Sequence, residues 1–235
     1  MLEALRAEVL EANLELVRRG LVIYTFGNAS AVSRADGLCV IKPSGVPYDR
    51  MTAEDMVITD LHGKIVEGSL RPSSDLATHV ALYRAFPSIG GVAHTHSRHA
   101  TAWAQARREI PCFGTTHADY FHSAVPVTDE LSPEEIASAY EANTGVAIIR
   151  RLEGCDPLRC PAVLVAGHAP FCWGETVTEA VHNAVIVEEL AAMAWQTLTI
   201  NPAAVPISEA LRDKHHFRKH GPTATYGQKG PFPKT

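Results

Sequence analysis

Apolar positions recur at helical spacing over residues 2–19. Leu2, Leu5, Val9, Ala12 and Leu16 share a face, while Glu3, Arg6, Glu8, Glu11 and Glu15 fall mostly on the others. Gly20 is a natural stop for that helix. Residues 21–24 read as a strand leading into Thr25-Phe26-Gly27-Asn28-Ala29-Ser30. Two hairpins follow, 30–33 with 38–42 around Ala35-Asp36-Gly37, and 56–60 with 64–67 around His62-Gly63. The pattern then predicts helices over 76–86, stopped before Pro87, and over 98–107. Another opens at Ser132-Pro133-Glu134-Glu135, a capping box with Pro at the first helical position, and runs to 142. Residues 92–96, 146–150 and 162–166 are apolar enough for buried strands, 110–126 is irregular, and 153–161 is a linker. Thr176-Val177-Thr178-Glu179 opens a long helix to about residue 198.

Hairpins mixed with helices and no internal repeat favour an α/β fold. We expect a single-domain central, mostly antiparallel (mixed) sheet flanked by helices over residues 1–200. Beyond Asn201 the character changes. Pro202, Pro206, Pro222, Pro231 and Pro233, with the basic run Lys214-His215-His216-Phe217-Arg218-Lys219-His220, suggest a tail over 201–235 that packs on the domain or on a neighbouring subunit.

Bulk composition narrows the function classes. At 235 residues, 46% apolar and 20% charged, the chain can bury a sizeable core. A net charge of −5 argues against nucleic acid or an anionic membrane as the main partner, while leaving room for a small anion in a locally positive pocket. The five cysteines form no Cys-x-x-Cys pair and are odd in number, which favours reduced thiols in a cytosolic protein. No apolar run approaches the ~20 residues that span a bilayer, and Met1-Leu2-Glu3-Ala4-Leu5-Arg6 lacks the pattern of a signal peptide.

The chemistry concentrates in Gly91-Val92-Ala93-His94-Thr95-His96-Ser97-Arg98-His99. On a strand, His94 and His96 point the same way and form half of a metal site. His168, after the 162–166 strand, is a third imidazole, and three with an open position suit a catalytic metal. Among twelve histidines, a His-x-His pair taken alone is more often surface or packing than ligand. Ser73-Ser74, at a helix entrance, and Asn28 and Ser44-Gly45, in turns, offer small donors of the kind a phosphate needs; simple N-capping explains the serines as well. Asp75 at a helix start reads first as a cap. Asp119 and Tyr226 are groups able to relay a proton, with a loop carboxylate and a tail aromatic as the plain alternatives. Lys42, His215 and Arg218 matter only where they meet an anion.

Taken together these segments resemble the class II aldolase/epimerase family, in its epimerase branch. The likeness rests on Thr25-Phe26-Gly27-Asn28, Ile41-Lys42-Pro43-Ser44-Gly45-Val46, Arg71-Pro72-Ser73-Ser74-Asp75, His94-Thr95-His96-Ser97-Arg98-His99, Gly114-Thr115-Thr116-His117-Ala118-Asp119-Tyr120 and His168-Ala169-Pro170-Phe171. Tyr226-Gly227-Gln228 extends it into the tail. The resemblance implies a class II aldolase-like α/β/α fold and one Zn²⁺ or other divalent metal on His94, His96 and His168, with Asp75 beside it. It also implies substrate binding by Gly27, Asn28, Lys42, Ser44, Gly45, Ser73, Ser74, Thr115, His215 and Arg218, and proton transfer by Asp119 and Tyr226. The implied reaction is epimerisation of a pentulose 5-phosphate at C4 through C3–C4 cleavage and re-formation, in a homotetramer with sites between subunits. A sugar-phosphate aldolase and a metal-free, adducin-like scaffold are the alternatives. Ala169 departs from the glycine that the family commonly has there.

Overall fold

The structure, a computed structural model, describes residues 2–220 and residue 224. Seven strands form one sheet: β1 (Asn28–Ser33), β2 (Leu38–Ile41), β3 (Val57–Asp60), β4 (Ile65–Glu67), β5 (Gly91–His94), β6 (Ala162–Leu164) and β7 (Pro170–Gly174). Their spatial order is β4-β3-β2-β1-β5-β7-β6, and each neighbouring pair is antiparallel. The helices are α1 (Glu3–Arg18), α2 (Leu76–Ala85), α3 (Arg98–Gln105), α4 (Thr115–Ala118), α5 (Pro133–Arg151), α6 (Val177–Ile200) and α7 (Glu209–Lys219).

Side chains alternate across each strand, so the sheet carries two cores. Ala29, Ala31, Val40, Ile58, Ala93 and Cys172 face α1, α3 and α6. Val32, Cys39, Ile41, Val57, Val92, Phe171 and Trp173 face the opposite way, where Leu76, Val80, Tyr83 and Ile148 of α2 and α5 cover them. The result is the expected three-layer α/β/α arrangement on an antiparallel sheet. On the second face, register pairs Asn28 with His94 and His94 with Phe171, which places three adjacent strands' residues in one row.

Several elements differ from the sequence reading. Residues 21–24 are not a strand: Ile23 and Tyr24 are exposed, Tyr24 takes φ +55°, and the amide of Phe26 donates to the Ile23 carbonyl in a turn. β5 ends at His94, so His96 stands in the following loop. The apolar stretch around residues 146–150 is helical, because α5 runs on to Arg151 and buries Thr144, Gly145, Ala147 and Ile148 on α2. An apolar run of that length fits a buried helix face as well as a strand. β7 was not expected; it opens on Pro170, a position where a strand tolerates proline. The basic run of the tail lies in α7, which packs against α4. Ser132 and Glu135 do form the capping box.

Close approach of β5 to α6 sets the height of the histidine strand. A Cβ on Gly91 would stand 2.3 Å from the Val177 Cα, so only glycine fits without moving backbone. Gly91→Ala should destabilise the protein by about 3 kcal/mol through forced overpacking. Urea unfolding checks this, and an unchanged midpoint would show that α6 does not bear on β5.

Candidate metal centre and anion pocket

Three imidazoles meet where β5 ends. The Nε2 atoms of His94 and His96 are 3.2 Å apart, and those of His96 and His168 are also 3.2 Å apart. One ligand atom from each residue fits within a 4.8 Å span. A tetrahedral zinc with bonds of ~2.0–2.1 Å holds its ligand nitrogens about 3.3 Å apart, so the spacing fits that ion. Tautomer chemistry agrees. The His94 Nδ1–H donates to the Pro170 carbonyl at 2.9 Å, which leaves its Nε2 lone pair turned inward. Burial holds all three rings below the ordinary histidine value, His168 at about 4, so they are neutral ligands near pH 7. Phe171 stacks on His94 with ring centres 4.1 Å apart and fixes its plane.

The segment that follows His96 is held by α6. Glu188 of α6 accepts from the amides of His99 (2.9 Å) and Ala100 (2.9 Å) and meets the His99 Nδ1 at 2.8 Å. It therefore supplies the cap that the first turn of α3 does not receive from Ser97. Burial would raise the Glu188 carboxyl, but those amides outweigh it and keep it ionised. Nothing in the local sequence links residue 188 to residue 96, so this support was not legible there.

The imidazoles form one wall of a cavity of about 390 Å³. Asn28, Lys42, Ser44, Gly45, Ser73 and Ser74 also line it, together with Gly27 and Asp75. At Gly27, φ is +80° and a Cβ would lie 2.8 Å from the His94 carbonyl oxygen, so a larger residue would push on the metal strand. The loops carrying Ser44 and Ser73 are tied together: Ser44 N donates to Arg71 O and Ser73 N to Lys42 O, both at 2.9 Å. Lys42 is buried, its Nζ 4.8 Å from the centre of the Tyr48 ring, and burial lowers its pKa although Asp75 opposes the shift. A cation and several small donors around one concavity make an anion site.

Asp75 sits at the N-cap position of α2 but does not cap it. Its carboxylate instead accepts from Asn28 Nδ2 at 2.7 Å and is not among the converging ligand atoms. Burial would raise it, yet the His94 and His79 rings and Asn28 more than offset that, leaving it ionised beside the cluster. His79, fully buried one turn on, meets Ser30 Oγ through Nδ1 at 2.7 Å, and burial pushes its pKa to about 3.

A second cluster lies between α4 and α7. Asp119 is buried and accepts from Arg218 Nη2 at 3.0 and 2.9 Å, with His215 Nδ1 at 3.2 Å and Lys219 Nζ at 3.3 Å. Burial acts to raise its carboxyl; the hydrogen bonds from Arg218, His215 and Lys219 hold it below the ordinary range. Asp119, His215 and Arg218 therefore come together, with Thr115 one helical turn before Asp119 on α4, but none of the four lines the histidine cavity. Tyr226 lies outside the described residues. Tyr140 and Glu141 of α5 do line the cavity and carried no signal in sequence, where they read as ordinary helix positions.

With this geometry in place, the comparisons are specific. The chain matches the profile of the Class II Aldolase and Adducin N-terminal domain over residues 7–195, and it belongs to that family. Relatives named L-ribulose-5-phosphate 4-epimerase UlaF come from Salmonella paratyphi C (strain RKS4594) and Salmonella typhi. They are 56% and 55% identical over 228 residues, 97% of this chain and 100% of theirs. Among solved structures, an L-fuculose 1-phosphate aldolase has the same fold, with TM-score 0.77 and 24% identity over 92% of this chain and 95% of its own. YgbL from Klebsiella pneumoniae, described as a putative aldolase/epimerase/decarboxylase, gives 0.72 and 25% over 92% of this chain and 100% of its own. No helix among the described residues is long and apolar enough to cross a membrane.

His96→Asn should leave the purified protein without stoichiometric metal, read by elemental analysis. Glu188→Ala should weaken zinc binding about tenfold in chelator competition, because the segment that follows His96 loses its tie to α6. His79 is neutral in the fold down to about pH 3 but takes a proton near pH 6.5 when unfolded. Its contribution to stability is therefore complete above pH ~6.5 and declines as pH falls toward 3. Urea midpoints at pH 7 and pH 5 should differ less in His79→Gln than in the parent; parallel profiles would remove His79 as a cause.

Proposed function

We propose that this protein is a metal-dependent epimerase interconverting L-ribulose 5-phosphate and D-xylulose 5-phosphate. The reading is carried by the meeting of three imidazole nitrogens in the same cavity as Lys42 and a set of small anion donors. Proteins with the epimerase name that match this chain over nearly its whole length support the choice of substrate.

The two sugars differ only at C4, whose hydrogen is not acidic, so inversion there needs the C3–C4 bond to break. A base takes the proton of the C4 hydroxyl, and the C3–C4 electron pair passes into the three-carbon fragment as the enediolate of dihydroxyacetone. C4 becomes the carbonyl of glycolaldehyde phosphate. A divalent cation on His94, His96 and His168, for which zinc suits the donor set, supplies Lewis-acid stabilisation of the negative charge that this cleavage creates. Asn28, Lys42, Ser44, Gly45, Ser73 and Ser74 anchor the phosphate while the aldehyde turns about its own bond. C3 then attacks the other face, and the new C4 oxyanion takes a proton from a group on that side.

Asp119 and Tyr226 are the proposed proton-transfer pair, one for each face of the aldehyde. Within one chain Asp119 belongs to the α4–α7 cluster, so the reading includes a homotetramer in which that cluster, with Thr115, His215 and Arg218, faces a neighbour's cavity. The same assembly gives residues 201–235 their role as a tail that completes the site. All five thiols are free, which suits a reducing compartment, and we place the protein in the cytoplasm.

Product analysis with L-ribulose 5-phosphate, before and after chelation, tests the reaction. D-xylulose 5-phosphate should form and should vanish on chelation. Cleavage of L-fuculose 1-phosphate with no xylulose product would replace the epimerase with an aldolase. Asp119→Asn should keep its metal and lose at least about 10²-fold in turnover; undiminished turnover would take Asp119 out of the mechanism.

A further inference from the structure

α5 is broken where its sequence gives no reason to break. The stretch Ala137-Ser138-Ala139-Tyr140-Glu141-Ala142 contains neither Gly nor Pro, yet Ala139 takes φ −147° and ψ 71° inside the helix. The interruption is braced on both sides. Asn143 Nδ2 reaches back to the Glu135 carbonyl at 2.7 Å and to Ser138 Oγ at 3.1 Å, which satisfies a carbonyl near the break. Thr78 Oγ1 of α2 donates to the Glu141 carbonyl at 2.5 Å. Four residues further on, a Cβ on Gly145 would stand 2.8 Å from the Ala81 Cβ, so the second half of α5 lies tight against α2. Ala139 itself is exposed, so the break does not serve packing at that residue. The break sets the direction in which the residues that follow Ala139 leave the first half of α5.

The residues presented directly after the break are Tyr140 and Glu141, which line the histidine cavity. The Tyr140 ring centre is 5.9 Å from that of His168, tilted by 48°. Burial raises the phenol's pKa, with Thr144 partly opposing and Asp75 and Glu141 adding to it, so the group keeps its proton through neutral pH. A phenol in the cavity wall, on a ring close to His168 and on a helix anchored to α2, suits the carbon chain of a sugar better than its phosphate.

We infer that Tyr140 is a substrate-contacting residue whose phenol hydrogen-bonds a hydroxyl on the sugar carbons over the three histidines, so that it selects for a hydroxylated ketose. This rests on the proposed sugar-phosphate reading of the same cavity. A site built to bond a substrate hydroxyl discriminates well against analogues without it.

Tyr140→Phe keeps the ring and deletes only the hydroxyl. Two probes, L-ribulose 5-phosphate and inorganic phosphate, are titrated calorimetrically into zinc-loaded parent and variant, and zinc content is measured alongside. The variant should bind L-ribulose 5-phosphate about tenfold more weakly, as for one lost hydrogen bond, with inorganic phosphate and zinc content unchanged. The KM for L-ribulose 5-phosphate should rise by a similar factor, with kcat altered less than KM. Equal affinities of parent and variant for the sugar phosphate overturn the contact, as do equal weakening for both probes and failure of the parent to bind L-ribulose 5-phosphate. A parent that binds the sugar phosphate but does not turn it over defeats the reaction assignment alone, and the Tyr140 comparison is then decided by the binding arm.

Discussion

The hydrogen bond from His94 Nδ1 to the Pro170 carbonyl, made across the ladder between β5 and β7, is the constraint on which the site depends. It joins the last residue of one strand to the first of another and leaves a single nitrogen of His94 able to face the cavity. Phe171, opposite His94 in register, stacks on the ring from the same strand. Asn28, opposite His94 on β1, carries the row on to Asp75. Because side chains alternate with period two, a slip of one residue in either ladder would turn His94 into the α1–α6 core and leave the other two imidazoles without their partner. Sheet register and metal geometry are therefore one constraint.

Around that row the protein spends little regular structure on chemistry. His96, His168, Ser44, Ser73 and Ser74 stand on loops, while the sheet and the helix packing hold the loop ends. Each loop is fixed by a few bonds with no slack. Ser44 and Ser73 are tied through main-chain bonds to Arg71 and Lys42, and the segment after His96 is capped by Glu188 from a helix nearly a hundred residues later. Such supports fix the loops around an open metal site.

The charge arrangement separates two tasks. Around the histidines, burial keeps imidazoles neutral and ionised Asp75 close by, which favours a cation. Between α4 and α7, one carboxylate is surrounded by Arg218, His215 and Lys219, which keeps Asp119 ionised at far below neutral pH. A carboxylate in that state accepts a proton weakly, and an approaching hydroxyl has to compete with His215 and with the cations Arg218 and Lys219.

The chain alone determined the hairpins, the amphipathic α1, the capped starts of α5 and α6, and the residue types of the site, because these depend on contacts a few residues long. His94, His96 and His168 were legible as a candidate cluster from spacing and from the family motifs together, and the structure brings them together, although the strand argument linking the first two was wrong in its boundary: His96 is beyond the strand. What lay out of reach was decided by partners distant in sequence. Residues 146–150 became helix since α2 offered a face for Thr144, Ala147 and Ile148, whereas residues 21–24 found no strand to pair with and stayed open. Asp75 left its capping role for Asn28, and Tyr140 entered the cavity through a break braced by Thr78. Local sequence encodes which conformations are cheap; only the folded sheet, by bringing remote donors and acceptors within 3 Å, selects among them.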